Sequence, residues 1–561
     1  MINNIKPLIL LSFSATLVFG ANIPNSSTIN KDIKVPKNIQ KNEKGLIEID
    51  GIKKPLPSII DDKSGEKIFV KGFNFTGNTK FTDGELKKLL KEYINKELSF
   101  NDLQNATTII TKAYRDKGYF VARAYLPMQK MQQGIVTIAI IEGKFGKFQL
   151  KNNSLVKDTI VQNIFNEIKK DSIISDAKLE KVMLIANDTP GVVVTKADIK
   201  PGEKTGQSDF DIETSPSAFY DGYIILDNHG SRYTGKQRVM MGMNLNSPFK
   251  IGDRISLTGL VSDGANLKYT NISYDSLLHP NGLRGGIEYT YSKYELTKEY
   301  SYLNANGSSK VLSIDLSYPI IRQRDNSLYS TLKFTNRENK DDIDSTNTKS
   351  QKELNVMSLG LEYDLNTFSH TLPTIYNIKG EYSYGNLSFE DDTSLTNDKA
   401  GADTNGNYSK IYLELLQAIN ITNNLSLETK LSYQHSLSNK NLDGSEDLSI
   451  SGINGVKVYP SSEASGENGY IFSIESKYAL PNIYDISSSV GVFYDRARVY
   501  MADNKNLNTK NIDLQDIGIS YYATYKDLFV NSYLAWQLNS DTITSEPDYN
   551  SKFLFQAGWV F

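Results

Sequence analysis

In residues 452–481, GINGVKVYPSSEASGENGYIFSIESKYALP, one cation, Lys457, stands in a polar, glycine-rich loop that runs straight into a strand. The chemistry on offer is electrostatic rather than covalent. Along the strand, Tyr470, Phe472, Ile474, Ser476 and Tyr478 point one way, and Ile471, Ser473, Glu475 and Lys477 the other. The first set suits lipid and the second water, as in the wall of a membrane barrel with a wet lumen. A loop that holds a cation beside such a lumen is a candidate gate.

No catalytic constellation competes with it. The four histidines, His229, His279, His370 and His435, are scattered, and neither HExxH, GxSxG nor a phosphate-binding glycine loop occurs. Asp391 and Asp392 fall in a loop polar enough to read as a solvated charge run. The Asp/Asn-rich loops lack EF-hand spacing, so at most weak Ca2+ binding is expected of them. With no cysteine there is neither a thiolate metal site nor a disulfide. The reading is no enzyme, no cofactor and no metal. A net charge of −3, without a basic tract interleaved with aromatics, gives no support to nucleic-acid binding.

The elements that must position the loop are strands. Mean hydropathy is −0.40, and beyond the N-terminus no apolar run could cross a bilayer as a helix. A β-barrel escapes that test because only alternate residues meet lipid. Leu283, Gly285, Ile287, Tyr289 and Tyr291 oppose Arg284, Gly286, Glu288, Thr290 and Ser292; Leu425, Leu427, Thr429, Leu431 and Tyr433 oppose Ser426, Glu428, Lys430 and Ser432. The 34 Tyr and 23 Phe suit aromatic girdles. From residue 216 to 561 there is room for on the order of 16 strands. Connections read as short at LNSPFKIG and ALPNIYD, facing the periplasm, and long at 341–353 and 390–407, facing outside. Phe553, Phe555, Trp559 and Phe561 share the lipid face of a closing strand.

Upstream, residues 1–20 read as a signal peptide: Lys6, an apolar stretch from Pro7 to Phe19, and small residues before a cut ahead of Ala21. An uncleaved anchor is the weaker alternative, since polar sequence follows at once. Residues 21–65 form a linker with no convincing amphipathic run and room for only a short plug segment. Residues 66–143 then read strand, helix, helix, strand, strand. Thr82 and Glu85 make a capping box ahead of Leu86, Leu89, Leu90 and Tyr93, a second helix starts near Ser99, and Gly118 ends it. Residues 144–215 repeat that order; a single domain that only looks doubled is the alternative.

GYFVARAYLPMQKMQQGIVTIAIIEGKFG resembles the signature of a POTRA (polypeptide-transport-associated) module of the TpsB-type two-partner secretion transporters. NDTPGVVV followed by PGEKTGQSDFDI resembles the second such module. The likeness continues through DNHGSRYTGKQRVMMGMNLNSPFKIGDRISLTGL and covers nearly all of 66–561. It implies two POTRA modules and a 16-stranded outer-membrane barrel, which binds an unfolded TpsA-type exoprotein (haemolysin, adhesin or toxin) in the periplasm and passes it outward.

The resemblance also assigns residues. The loop after the eleventh strand, around 439–469, folds into the barrel and carries the gating motif at Gly455, Val456, Lys457, Val458, Tyr459 and Pro460. Its counter-charge is Asp495 in VFYDRA, near Phe493; alternation with Val490, Val492 and Tyr494 independently turns both to the lumen. The family's motif cation is Arg, so Lys here offers no bidentate fork, and Val458 replaces a small residue. An ion pair at 4 Å would attract by about 4 kcal/mol at an effective dielectric near 20, before desolvation. Tyr119, Phe120, Ala124, Pro127 and Gln129 form the expected docking region for the exoprotein. Phe553, Phe555, Trp559 and Phe561 resemble the signal read by the barrel-assembly machinery. A BamA-like assembly factor is the alternative, followed by a passive porin or surface adhesin.

Overall fold

The computed structural model describes residues 24–31, 33, 67–130, 133–503, 511–539, 543, 545–547 and 549–561. The expected signal peptide, and the linker apart from 24–31 and 33, lie outside the described residues.

The first module folds around the helices Asp83–Leu89 and Phe100–Asp116. Both begin with a full capping box, Thr82 with Glu85 and Ser99 with Asp102, which satisfies orphan N–H groups of the first turn. Leu86 and Leu90, four apart, are buried with Ile110 and Tyr114, whereas Leu89, expected on the same face, is exposed. The second helix ends at Gly118, whose φ of +85° suits the left-handed cap. The strand Ile135–Ile141 is central, parallel to Gly72–Thr76 and antiparallel to Arg123–Tyr125. The element order is less simple than the sequence reading: Lys96–Leu98 lies between the helices and pairs with Ile68–Val70.

The second module repeats this plan. Gln207–Ser215 is central, parallel to Lys144–Asn152 and antiparallel to Val193–Pro201, under the helices Asp158–Asn166 and Asp176–Asp188. Phe145, Phe165, Phe210, Leu179 and Ala186 fill its core. The module is fastened to the barrel by its second helix: Asp188 accepts from Arg322 Nε at 2.6 Å and Nη2 at 2.7 Å, and Glu180 pairs with Arg324 at 3.4 Å.

Sixteen antiparallel strands, from Tyr220–Asp227 to Ser551–Val560, close into one barrel. Closure pairs Trp559 with Ile224, and Phe561 and Gly222 exchange backbone hydrogen bonds of 3.0 Å. The sheet closes on itself through the pairs Tyr223↔Val560 to Asp227↔Gln556, as a bilayer core requires. Alternation sorts the side chains: Met241, Leu257, Ile272, Ile287, Tyr289, Ile314, Leu359 and Val492 are exposed outward, and their neighbours face the lumen.

One expected long connection is mostly strand. Asn326–Ile343 and Thr348–Ser369 run through 341–353, leaving a short turn at Asp344–Thr346, because a ladder of polar pairs from Lys340↔Gln351 to Asp342↔Lys349 continues beyond the apolar band. The connection 390–407 does hold extra structure, the helix Asp392–Ala400. There Asp391 is a helix cap, accepting from Ser394 N at 2.7 Å, rather than a free charge.

A short helix, Ser26–Lys31, lies in the linker, whose sequence shows no convincing amphipathic run. It seats on the lumen wall. Asp341 accepts from Ser26 N at 2.8 Å and Ser26 Oγ at 2.7 Å, Asn339 donates to Ser27 Oγ at 3.0 Å, and Ile29 packs with Tyr223, Ile225, Tyr269 and Tyr294. Six residues are too few for a helical period to show in sequence.

Candidate functional site

The connection from the strand Leu425–Ser436 to the strand Asn468–Ala479 folds into the lumen. Its tip is a tight double turn. Gly452 N donates to Tyr459 O at 3.1 Å, Gly455 N to Gly452 O at 3.0 Å, and Val456 N to Ile450 O at 2.9 Å. Gly452 takes φ +77°, and a Cβ on Gly455 would lie 2.2 Å from Ile450 O, so both glycines are needed for the turn.

This turn buries Val456, Val458, Tyr459 and Pro460, the first three against Phe493, Ala497, Leu514 and Ala535 of the wall. Val458, where a small residue was expected, thus contributes to an apolar seat. Lys457 Nζ emerges 2.6 Å from Asp495 Oδ2 and 4.3 Å from the centre of the Phe493 ring. The structure therefore brings together Lys457, Asp495 and Phe493. The Lys457 side chain is 12% exposed and that of Asp495 0%, so the pair is shielded from solvent screening. Asp495 is also held by Ser473 Oγ, one of the lumen-facing residues of the next strand.

Sequence reasoning missed the second half of the seat. Asp516 stands directly opposite Asp495 on the neighbouring strand and accepts from Val458 N at 2.7 Å. Tyr459 OH donates to Asn539 Oδ1 at 2.9 Å and accepts from Gln537 Nε2 at 2.9 Å. Alternation in Ile512–Tyr525 puts Asp516 inward, on the face opposite Ile517 and Ile519, and that signal was available in the sequence. One ammonium and one backbone N–H thus meet two carboxylates, where a guanidinium could have offered a fork.

The expected docking region divides. Phe120 is buried in the core of the second module, and Ala124 in that of the first. Neither is free to meet a partner. Phe120 joins the two modules, a contact that a motif read within one module does not show. Tyr119 is half-buried, edge-on to Tyr114. Pro127 is half-buried, and Gln129 uses its amide to take both backbone groups of Thr137 at 2.8 Å. Beside them, Tyr125 and Met128 are exposed.

At the chain end, Phe553, Phe555 and Trp559 are exposed on one outer face with Phe561, Phe553 stacking on Phe555 at 6.5 Å and Trp559 meeting Phe561 at 4.9 Å. Leu554, between them, is buried toward the lumen.

Comparison with known proteins agrees with this architecture. A model of the haemolysin secretion/activation proteins ShlB/FhaC/HecB matches residues 206–512, and one of the ShlB-type POTRA domain matches 68–143. The chain is 27% identical over 451 residues to the heme/hemopexin transporter protein HuxB of Haemophilus influenzae strain 86-028NP, covering 79% of this chain and 78% of that protein. It is 23% identical over 508 residues to the hemolysin transporter protein HpmB of Proteus mirabilis, covering 86% and 87%. CdiB from Escherichia coli has the same fold, with a TM-score of 0.74 over 91% of this chain and 95% of its own at 18% identity.

Proposed function

The chain belongs to the haemolysin secretion/activation family ShlB/FhaC/HecB, and from that premise we propose that the Lys457 loop is the gate of its pore. The protein is a two-partner secretion transporter of the outer membrane, with its POTRA region in the periplasm, and it carries an exoprotein outward. The observation that supports the gate reading is the buried Lys457–Asp495 pair, which fastens the tip of an inward loop to the lumen wall.

In this reading the unfolded exoprotein first meets the two modules, 144–215 serving as a second POTRA domain. Tyr119, Tyr125, Pro127, Met128 and Gln129 are the contacts left exposed or half-exposed for it on the first module. The edge strand Arg123–Tyr125 has its Ala124 N–H taken by Thr111 Oγ1 at 3.0 Å, so docking there rests on these side chains. The loop tip then leaves Asp495 and Asp516, the chain passes, and folding outside hinders its return. The cargo is a TpsA-type exoprotein whose activity, haemolytic, adhesive or toxic, resides in the cargo itself. The aromatics at Phe553, Phe555, Trp559 and Phe561 serve assembly of the barrel by the cellular machinery.

The test is co-expression with an exoprotein bearing a two-partner secretion domain, assayed in the medium. Deletion of 67–143 is expected to cut secretion while the barrel remains heat-modifiable, and Lys457→Ala to raise ion conductance through the resting pore. Full secretion by the deletion variant would exclude module docking; conductance unchanged by Lys457→Ala would leave Lys457 an ordinary loop residue.

A further inference from the structure

Around 441–447 the same loop is fixed a second time, at another part of the wall. Glu446 meets Arg337 at 3.1 Å and Lys410 at 2.9 Å, and Asp443 pairs with Lys352. These cations belong to the strands Asn326–Ile343, Gly406–Asn420 and Thr348–Ser369, and all three point inward by alternation with Phe334, Leu413 and Leu359. The acids are shielded, with side chains 4% exposed for Asp443 and 8% for Glu446.

Hydrogen bonds lock the same short segment. Lys410 Nζ donates to Glu446 O at 2.7 Å and Gln434 Nε2 to the same oxygen at 2.9 Å, while Asp443 Oδ1 accepts from Ser445 Oγ at 2.7 Å and Asp443 O from Glu446 N at 2.7 Å. Asn441 is paired with the backbone of Asp503, donating at 2.7 Å and accepting at 2.8 Å. Gly444 passes so close to the N-terminal helix that a Cβ there would lie 3.2 Å from Thr28 Cγ2.

The two attachments carry opposite polarity. At the tip, one loop cation faces two wall acids; at the base, two loop acids face three wall cations. A charge-polarised loop therefore lies in a charge-polarised lumen, and turning it end for end would set like charges together. The base has more donors per carboxylate than the tip: five on Asp443 and Glu446 against three on Asp495 and Asp516. Of the two attachments, the tip is the one to open first.

We propose that Asp443 and Glu446, held by Lys352, Arg337 and Lys410, form a basal clamp on which the loop pivots, so that the tip swings from Asp495 while the base stays fixed. These are positioning residues, and the inference rests on the gate reading above. It gives the loop a hinge and keeps it inside the barrel during transport.

The absence of cysteine makes the test direct. Two full-length variants, Glu446→Cys with Lys410→Cys and Val458→Cys with Asp516→Cys, are cross-linked by a short bifunctional methanethiosulfonate, which forms a disulfide with each thiol and releases methanesulfinate, and recorded in planar bilayers in KCl. Tethering the tip should cut openings at least tenfold, reversed by reductant. The untethered base variant should show a larger open conductance than wild type, and its tether should restore wild-type openings. If the base tether silences the channel as the tip tether does, the base must move and the clamp is wrong. If the tip tether changes nothing, the gate reading fails instead. A double variant Asp443→Asn with Glu446→Gln that assembles and conducts like wild type would also overturn the clamp.

Discussion

Asp495 and Asp516 face each other across the strands Ile486–Tyr500 and Ile512–Tyr525, both with buried side chains, and the loop answers them with two different donors. Lys457 supplies an ammonium to the first, and the Val458 backbone supplies an N–H to the second. Two carboxylates at adjacent positions repel unless something cationic lies between them, so the empty seat is less favourable than the filled one.

The two acids are therefore not equivalent. Asp495→Asn leaves a shielded ammonium without its counter-charge, a loss of about 3–5 kcal/mol for breaking a buried pair. Asp516→Asn keeps an oxygen for Val458 N and relieves the repulsion, so it should cost under about 1.5 kcal/mol or stabilise the closed loop. Hydrogen exchange over 450–460 should rise strongly in the first variant and little in the second.

Glu467, at the loop's return to the wall, gives a pH dependence. Burial, reinforced by the charge of Asp447, pushes its carboxyl from the usual 4.5 up to about 7. Between those values the folded state holds a proton that an undocked chain has lost, so docking is strongest below about 4.5 and weakens as pH rises to about 7. Channel openings should become more frequent over that window, and Glu467→Gln should flatten the profile.

Asp341 links the N-terminal helix to the wall, accepting from Ser26 and from Tyr294 OH at 2.7 Å. Asp341→Ala removes charge-assisted bonds worth about 1.5–3 kcal/mol each, net of exchange with water. Proteolysis near residues 24–33 should accelerate in assembled protein, with the barrel itself still resistant.

In the first module, Glu142 is a buried carboxylate bonded by Lys80 N at 2.8 Å, Tyr114 OH at 2.9 Å, and Thr79 through both its N–H and hydroxyl. Burial alone would raise its pKa, but these bonds outweigh burial and lower it. A depressed pKa stabilises above the unfolded value and is lost as pH falls through the folded one. The module should loosen in acid before the barrel does, and Glu142→Gln should cost about 1–3 kcal/mol, read by hydrogen exchange over 67–143.

Local physics made much of this legible in sequence. The capping box at Thr82 and Glu85, the Gly118 cap and the inward face of Phe493 and Asp495 each follow from a short-range rule, and each is found where expected. What escaped depends on contacts remote in sequence. Phe120 and Ala124 sit in strand-like sequence that reads as surface until the neighbouring core arrives. The helix Ser26–Lys31 has its pattern completed by Asp341, 315 positions away from Ser26. Strand extension past the apolar band needs the partner ladder to be known. Asp516 is as legible as Asp495, since its alternation is equally clear, and the inward turn of Arg337, Lys352 and Lys410 follows from the same rule.

The central claim, that the Lys457–Asp495 pair holds the pore shut, is tested most directly by a double-mutant cycle on ion conductance. Lys457→Ala, Asp495→Ala and the double variant are recorded in KCl under identical conditions. The account predicts that each single change raises open probability and that the double change adds little beyond either one, because both remove the same interaction. Independent, additive effects, or openings unchanged from wild type in all three, would contradict it.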